Sequence, residues 1–306
     1  MATSGNLFTR TGQPLPEKVE DRPFLLRDTG RDEGGTLGPD VLVREIDGRV
    51  DIKPVIHPDR KPPVRNVGKA WHHFKRYIKD KEQTDEVIAV FDNLPWRELH
   101  EEAAAFLRTD RGRAIYRAEP YLPNFLDDHA ALRRTPKGSF AHAYCDFMER
   151  EGLTAAGMVE ASSARKTENY FDDGVNWYID RLRDFHDILH IVTGYGRDLL
   201  GEQCIFAFMY HQRPSPGHLY LAWAGTLMMR AKIRTRAPIV GALREARRNG
   251  KACPRIVEQP IQELFELPLE TARARFNTPE PRVYHKVLET YRKEGIDPHA
   301  FMAKQD

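Results

Sequence analysis

Cysteine is scarce in this chain of 306 residues: Cys145, Cys204 and Cys253 are all there is, and they stand far apart. They form no C-x-x-C pair and no even set for a disulfide framework, which fits a reducing compartment. Long hydrophobic runs are missing as well. The longest, Leu219 to Met229 (LYLAWAGTLMM), is too short to span a bilayer. Residues 1–18 lack the apolar core of a secretory signal. Neither sign of charge dominates, since 47 Lys and Arg face 45 Asp and Glu. A net charge of +2 therefore names no acidic partner by itself. There is no phosphate-cradling glycine loop, no G-x-S-x-G, no dinucleotide fingerprint and no internal repeat. Strand signals nearly vanish after residue 66, so the body reads as all-α.

What is present divides the chain in two. Residues 1–65 are rich in proline, glycine and charge and read as an extended, partly ordered arm. Within it, 41–50 is a weak hairpin with Asp47-Gly48 at the turn, and 52–56 adds a short strand. Residues 66–306 read as one helical domain, an orthogonal or antiparallel bundle of many helices. With 41% hydrophobic residues it can bury a core. Helices are expected over 70–79, 84–92, 95–108 (with Pro95 at its first position), 139–151, 218–230 and 284–293. Shorter pieces fall at 112–116, 124–134 and 242–248, and 260–276 breaks near Pro268. A polar turn region over 165–173 leads into the helix that carries the chemistry. Phe140, Tyr144, Phe147 and Met148 recur at helical spacing and read as core, or else as the lining of an apolar groove. From Arg230 to Lys251 eight Lys and Arg accompany a single acid, Glu245. That run is either a solvated face or an attraction to anionic headgroups. It lacks interleaved aromatics, which disfavours nucleic acid.

The chemistry concentrates in 178–209 (YIDRLRDFHDILHIVTGYGRDLLGEQCIFAFM). His186 and His190 are one helical turn apart and share a face, with Asp187 roughly 60° from His190. A straight helix would carry Glu202 roughly 18 Å past His190. Thr193-Gly194-Tyr195-Gly196 provides a place to stop, and Asp198 can open a second helix that folds back beside the first. His186, Asp187, His190 and Glu202 then form an N/O set suited to zinc or another first-row divalent ion. The apolar neighbours Ile188, Leu189, Ile191 and Val192 strengthen this reading, because buried charges need partners or a metal. His72 and His73 have no carboxylate beside them, and His211 and His218 read as capping residues at loop ends. Tyr178 and Arg183 lie near enough in sequence to be substrate contacts.

HDILHIVTGYGRDLLGE resembles the HDxxH-x11-E signature of the coenzyme Q biosynthesis protein four family. Asp110 to Ile115, Pro136 to Phe140 with Phe147-Met148, and Pro268-Leu269 also look like family segments, so the likeness runs from about Trp71 to Asn277. All four signature positions map without departure. The resemblance implies oxidative removal of the ring carboxylate from the polyprenylated aromatic intermediate of ubiquinone synthesis, leaving a hydroxyl, together with organisation of the other pathway enzymes. It implies a metal-dependent decarboxylase holding zinc, or else cobalt, iron or manganese, with Asp187 or Glu202 moving a proton. The helices around 139–148 and 219–229 then hold the prenyl tail, while the basic run brings the chain to its membrane. That places it peripherally on the inner face of the cell membrane, or on the matrix face of the inner mitochondrial membrane in a eukaryote, and leaves a homodimer open. Two rivals stand beside this reading. One is a non-catalytic prenyl-lipid-binding scaffold with a structural ion. The other is a hydrolase of the HExxH kind, which is weaker because Asp187 is one methylene short of the required base.

Overall fold

The computed structural model of the chain describes residues 38–46, 49–79, 84–163 and 170–299. Strands β1 (Val41–Ile46) and β2 (Arg49–Pro54) pair antiparallel, with Ile46 opposite Arg49 and Val41 opposite Pro54. The hairpin expected over 41–50 and the separate strand at 52–56 are thus two arms of one longer hairpin. Its turn residues, Asp47 and Gly48, and residues 1–37 of the arm lie outside the described residues.

Among the described residues, every element after the hairpin is a helix. Helices α1 (Val67–Lys79), α2 (Thr84–Asn93), α3 (Leu99–Leu107) and α4 (Asp110–Ala118) come first. They are followed by α5 (Leu122–Leu126), α6 (His129–Leu132), α7 (Phe140–Glu151) and α8 (Ala155–Ser163). Next come α9 (Gly174–Thr193), α10 (Leu199–Gln212), α11 (Pro216–Lys232) and α12 (Ile239–Ala252). The last three are α13 (Ile261–Phe265), α14 (Leu269–Arg275) and α15 (Arg282–Glu294). Local chemistry sets many of these ends. The Thr109 hydroxyl accepts from Gly112 N and the Ser139 hydroxyl from His142 N, as N-caps do. Gly152 ends α7 at φ 66°. Pro268 separates α13 from α14 at the expected break.

Three expectations change. Pro95 does not open a helix: Trp96 is drawn under the Arg255 guanidinium, 5.2 Å away, and α3 starts only at Leu99. Helix α8 is an addition that the sequence does not announce, because AAGMVEASS is made of small residues with no apolar stripe. Residues 164–169 of the turn region that follows lie outside the described residues. Helix α12 is twice the expected length, and the one acid of its basic run serves its neighbour. Glu245 accepts from Val283 N at 2.9 Å and so satisfies a donor in the uncapped first turn of α15.

Helix α9 joins two cores. Its first half packs Val175, Tyr178 and Leu182 against Leu42 and Val55 of the hairpin region and Leu107 of α3. Its second half packs into the main core with α7, α10, α11 and α12. At 20 residues it is roughly 30 Å long, enough to reach both. Its N-terminus is held by a buried clamp. Asp173 accepts from Asn176 N at 2.8 Å as N-cap, and Arg60 grips its two oxygens at 2.7 and 2.6 Å. Arg60→Ala leaves that carboxylate buried without its cation. The expected loss is about 3–5 kcal/mol in urea unfolding, against the fraction of a kcal/mol typical of an exposed pair. The second buried pair, Arg181 with Glu119 at 2.5 Å, ties α9 to the end of α4. Cys145, Cys204 and Cys253 are buried free thiols. Among the described residues, no helix is long and apolar enough to cross a membrane.

Candidate metal centre

The second half of α9 presents His186, Asp187 and His190, and the helix stops where the glycine demands. Gly194 sits at φ 76°, a left-handed position that glycine takes without steric cost, and its N–H bonds to His190 O at 2.9 Å. The chain turns through Tyr195, Gly196 and Arg197. Asp198 then caps α10, its side chain accepting from Leu200 N and Gly201 N. Tyr284 of α15 fixes this corner, donating to Asp198 Oδ2 while its oxygen accepts from Gly196 N at 3.0 Å.

Glu202 therefore reaches the histidines from the first turn of α10. The second helix does not lie beside the first, however: α10 packs along α11 and α12 rather than along α9. The sequence explains the departure. CIFAFM is apolar all round, and such a helix must be surrounded by several neighbours. The two halves of the cluster meet at a corner, not along a helical hairpin.

The contacts of Glu202 with the two histidines have the separations of ligands around one ion. Glu202 Oε1 lies 3.5 Å from His190 Nε2, and its Oε2 lies 3.6 Å from His186 Nε2. Asp187 Oδ1 stands on the other ring nitrogen, 3.3 Å from His186 Nδ1, and groups with His186 and His190 at metal-ligand spacing while Glu202 approaches from α10. Ligands 2.0–2.1 Å from a tetrahedral ion stand roughly 3.4 Å from one another. His190 supplies the sharper test. Its Nδ1 is 2.9 Å from the carbonyl of Tyr195, which can only accept, so Nδ1 holds the proton and Nε2 carries a lone pair. That lone pair is fully buried, has no hydrogen-bond partner, and faces a carboxylate oxygen. Two acceptors in that position need a proton or a metal ion between them, and the lowered pKa values of His190 and Glu202 disfavour the proton. The donor set fits a divalent metal.

The surroundings agree. Burial alone would raise the carboxyls of Asp187 and Glu202, but His186, His190 and Arg197 hold both below their ordinary values. Burial would lower His186, yet hydrogen bonds and charge from the two acids push it up to about 10. Phe147 stacks on the His190 ring, 5.7 Å between centroids and 19° from parallel, which fixes its plane. The side chain of His190 is 0% exposed and that of His186 21%, so the cluster opens on the His186 side. Arg197 stands at the partly exposed edge, 4.0 Å from Glu202 and 3.6 Å from Glu151.

The two expected substrate contacts are engaged elsewhere. Tyr178 lies two turns before His186, donates to Glu258 at 3.3 Å and packs on Phe106 in the smaller core. Arg183 is nearer but holds Asp180 and Asp184, both at 2.8 Å. Neither is brought to the cluster. Residues the sequence does not single out stand close instead. Tyr77 on α1 has its hydroxyl pKa raised by burial and by the charge of Glu202. His218 is no surface cap: it is buried between Phe91 and Phe206, its Nδ1 without a partner. Arg197 has a signal in its position between the two ligand halves, whereas Tyr77 has none.

The model of the coenzyme Q (ubiquinone) biosynthesis protein Coq4 family matches residues 77–281. The chain belongs to this Coq4 family. It is 26% identical over 174 residues to the mitochondrial ubiquinone biosynthesis protein COQ4 homolog of Bos taurus, covering 57% of this chain and 63% of that one. It is 32% identical over 100 residues to the mitochondrial COQ4 homolog 2 of Culex quinquefasciatus, covering 32% of this chain and 42% of that one. Each match thus spans less than two thirds of the curated relative. A crystal structure from Nostoc punctiforme PCC 73102, described as a candidate ubiquinone biosynthesis protein, superposes at TM-score 0.47 with 20% identity. That superposition covers 71% of this chain and all of the Nostoc one.

Proposed function

We propose that this chain serves ubiquinone biosynthesis as a metal-dependent enzyme that replaces the ring carboxylate of a polyprenylated aromatic intermediate with a hydroxyl, with dioxygen as the two-electron oxidant, water consumed, and carbon dioxide and hydrogen peroxide released. It works at a membrane face beside other enzymes of the route, on the matrix side where the host is eukaryotic, as its relatives' mitochondrial names suggest. The observation that carries this reading is the buried lone pair of His190 Nε2 facing Glu202 within a Coq4-family chain. His186, Asp187, His190 and Glu202 would hold the ion, which on this ligand set is zinc or a first-row relative.

Bound there, a divalent ion supplies a Lewis acid toward an oxygen of the substrate ring. The protein's own groups do the rest. The Tyr195 carbonyl fixes the His190 tautomer, and Phe147 fixes the ring. Arg197 lies at the open edge, where its charge meets the ring carboxylate and orients it. Asp187 or Glu202 takes up a proton when it is not ligating.

The second reading, a scaffold with a structural ion, is favoured by the count of candidate ligands: four protein ligands, if all bind, would fill a tetrahedral shell that catalytic zinc leaves open. The test pairs metal content with turnover of a carboxylated polyprenyl hydroxybenzoate under air. Wild type is expected to hold one metal per chain and form the hydroxylated, decarboxylated ring. Arg197→Ala is expected to keep the metal and lose about 10–100-fold in kcat/KM, as when one charge-assisted contact to the substrate is removed. Metal-loaded wild type that never turns over selects the scaffold.

A further inference from the structure

Seven large apolar side chains of the described residues are strongly exposed, and three of them fall within eight positions. Val64 is 78% exposed, Val67 69% and Trp71 51%. Val67 and Trp71 are one turn apart on α1, with Lys75 a turn further along the same stripe, its ammonium 5.9 Å from the Trp71 ring. The adjoining face of α1 is committed to the body. Ala70, Phe74 and Tyr77 are buried, and Phe74 packs edge-on to Tyr220 of α11 at 4.9 Å. The outward stripe is thus held rigidly while facing away from the core.

Its charge is of one sign. Lys61, Arg65, Lys69, Lys75 and Arg76 lie between residues 61 and 76, with no carboxylate among them. Arg76 pairs with Glu86 at 2.6 Å, but neither Arg65 nor Lys69 makes an ion pair among the described residues. A tryptophan and two valines beside these cations match the boundary of an anionic bilayer, where amphipathic rings lodge at headgroup level and each basic residue adds attraction. The basic run over 230–251 lacks the apolar half of this arrangement. Its one strongly exposed apolar neighbour, Leu227, precedes it on α11.

We infer that α1 and the segment leading into it, residues 61–76, form the face by which this chain docks on an anionic phospholipid surface. The inference deepens the membrane location in the proposed function and takes its purpose, though not its grounds, from that reading. The docking helix also leads to the candidate centre. Trp71 is at the surface, and six residues on, roughly 9 Å along the axis, Tyr77 lies beneath it within the field of Glu202.

The test is flotation of the full chain with vesicles of phosphatidylcholine alone, or mixed with phosphatidylglycerol, together with quenching of tryptophan fluorescence by brominated acyl chains. Wild type is expected to float with the mixed vesicles at least about tenfold more strongly, and to lose that excess in high salt. Trp71→Ser, and Arg65→Ser with Lys69→Ser, should each weaken binding roughly 10–30-fold without changing Tm. Trp71→Phe should bind but lose the bromolipid quenching. The comparison variant, Arg244→Ser with Arg247→Ser and Arg248→Ser on α12, should stay within about threefold of wild type. The inference is overturned if the α1 variants bind like wild type, if the α12 variant loses as much as they do, or if wild type binds neither vesicle. The last outcome would leave a protein as the partner of this face. None of these measurements needs metal or turnover, so docking and chemistry can fail separately.

Discussion

Replacing His190 by alanine is expected to abolish stoichiometric metal binding while leaving a folded chain. Two contacts of this one side chain set the size of the loss. Its Nε2 points a buried lone pair at Glu202, and its Nδ1 is oriented by the Tyr195 carbonyl at 2.9 Å. Removing an outer-sphere partner of a ligand typically costs 10–100-fold in metal affinity. Removing the ligand itself should cost more than about 100-fold, enough to empty the site at ordinary concentrations. The lost hydrogen bond adds a destabilisation of about 1 kcal/mol on top of the cavity. The two effects separate cleanly in a titration. Ligand held at 100 times its Kd stabilises a folded state by about 2.7 kcal/mol, so zinc should raise the Tm of wild type and leave that of the variant in place. Equal metal content and equal zinc-dependent shifts in both proteins would refute the assignment of His190 as a ligand.

Tyr195 shows how much of this centre is written locally and how much is not. The two histidines, the glycine stop, the Asp198 cap and the returning glutamate are all short-range features, and each lies where its own chemistry puts it. That is why the cluster is legible in the sequence alone. The helix carrying Glu202 departs from its expected course because its direction is set at a distance, by the α11 and α12 surfaces that bury an all-apolar helix. Tyr77 comes to Glu202 from more than a hundred residues upstream, and no spacing in the chain encodes that approach. Helix α8 lacks a signal for the opposite reason: small residues form a helix without declaring a face. Arg60 and Asp173, and likewise Glu119 and Arg181, are ordinary charges in sequence and become structural only because their partners are buried with them. The hairpin illustrates a third case. Its strands are readable from alternation and a turn dipeptide, but its length is fixed by Val55, whose carbonyl bonds to Val175 N at 3.1 Å and draws the strand along α9.

Gly201→Ala should be among the most damaging single-methyl changes in the chain, and its effect should reach the metal. A Cβ at residue 201 would lie 1.9 Å from Gly196 O and 2.7 Å from the carbonyl carbon, both backbone atoms that cannot rotate aside. Gly196 in turn cannot retreat. Its N–H is held by the Tyr284 hydroxyl, and the same hydroxyl grips Asp198, the cap of α10. The methyl must therefore push the first turn of α10 off the corner, and Glu202 is the next residue. Overpacking in a closed site costs about 1–3 kcal/mol, and a backbone collision held on both sides belongs at the upper end or beyond it. The same substitution at Gly68, where the nearest atom is an Asn66 side-chain oxygen at 3.7 Å, meets only ordinary contact. There alanine should be neutral or stabilising by up to about 1 kcal/mol, from helix propensity alone. Urea unfolding of the two variants gives the stability difference, and a zinc titration of each shows whether the strain moves the ligand. If Gly201→Ala binds zinc as wild type does despite its lower stability, then α10 yields elsewhere and Glu202 is not held by this corner. If affinity and stability fall together, the close approach of two glycines is what places the fourth ligand.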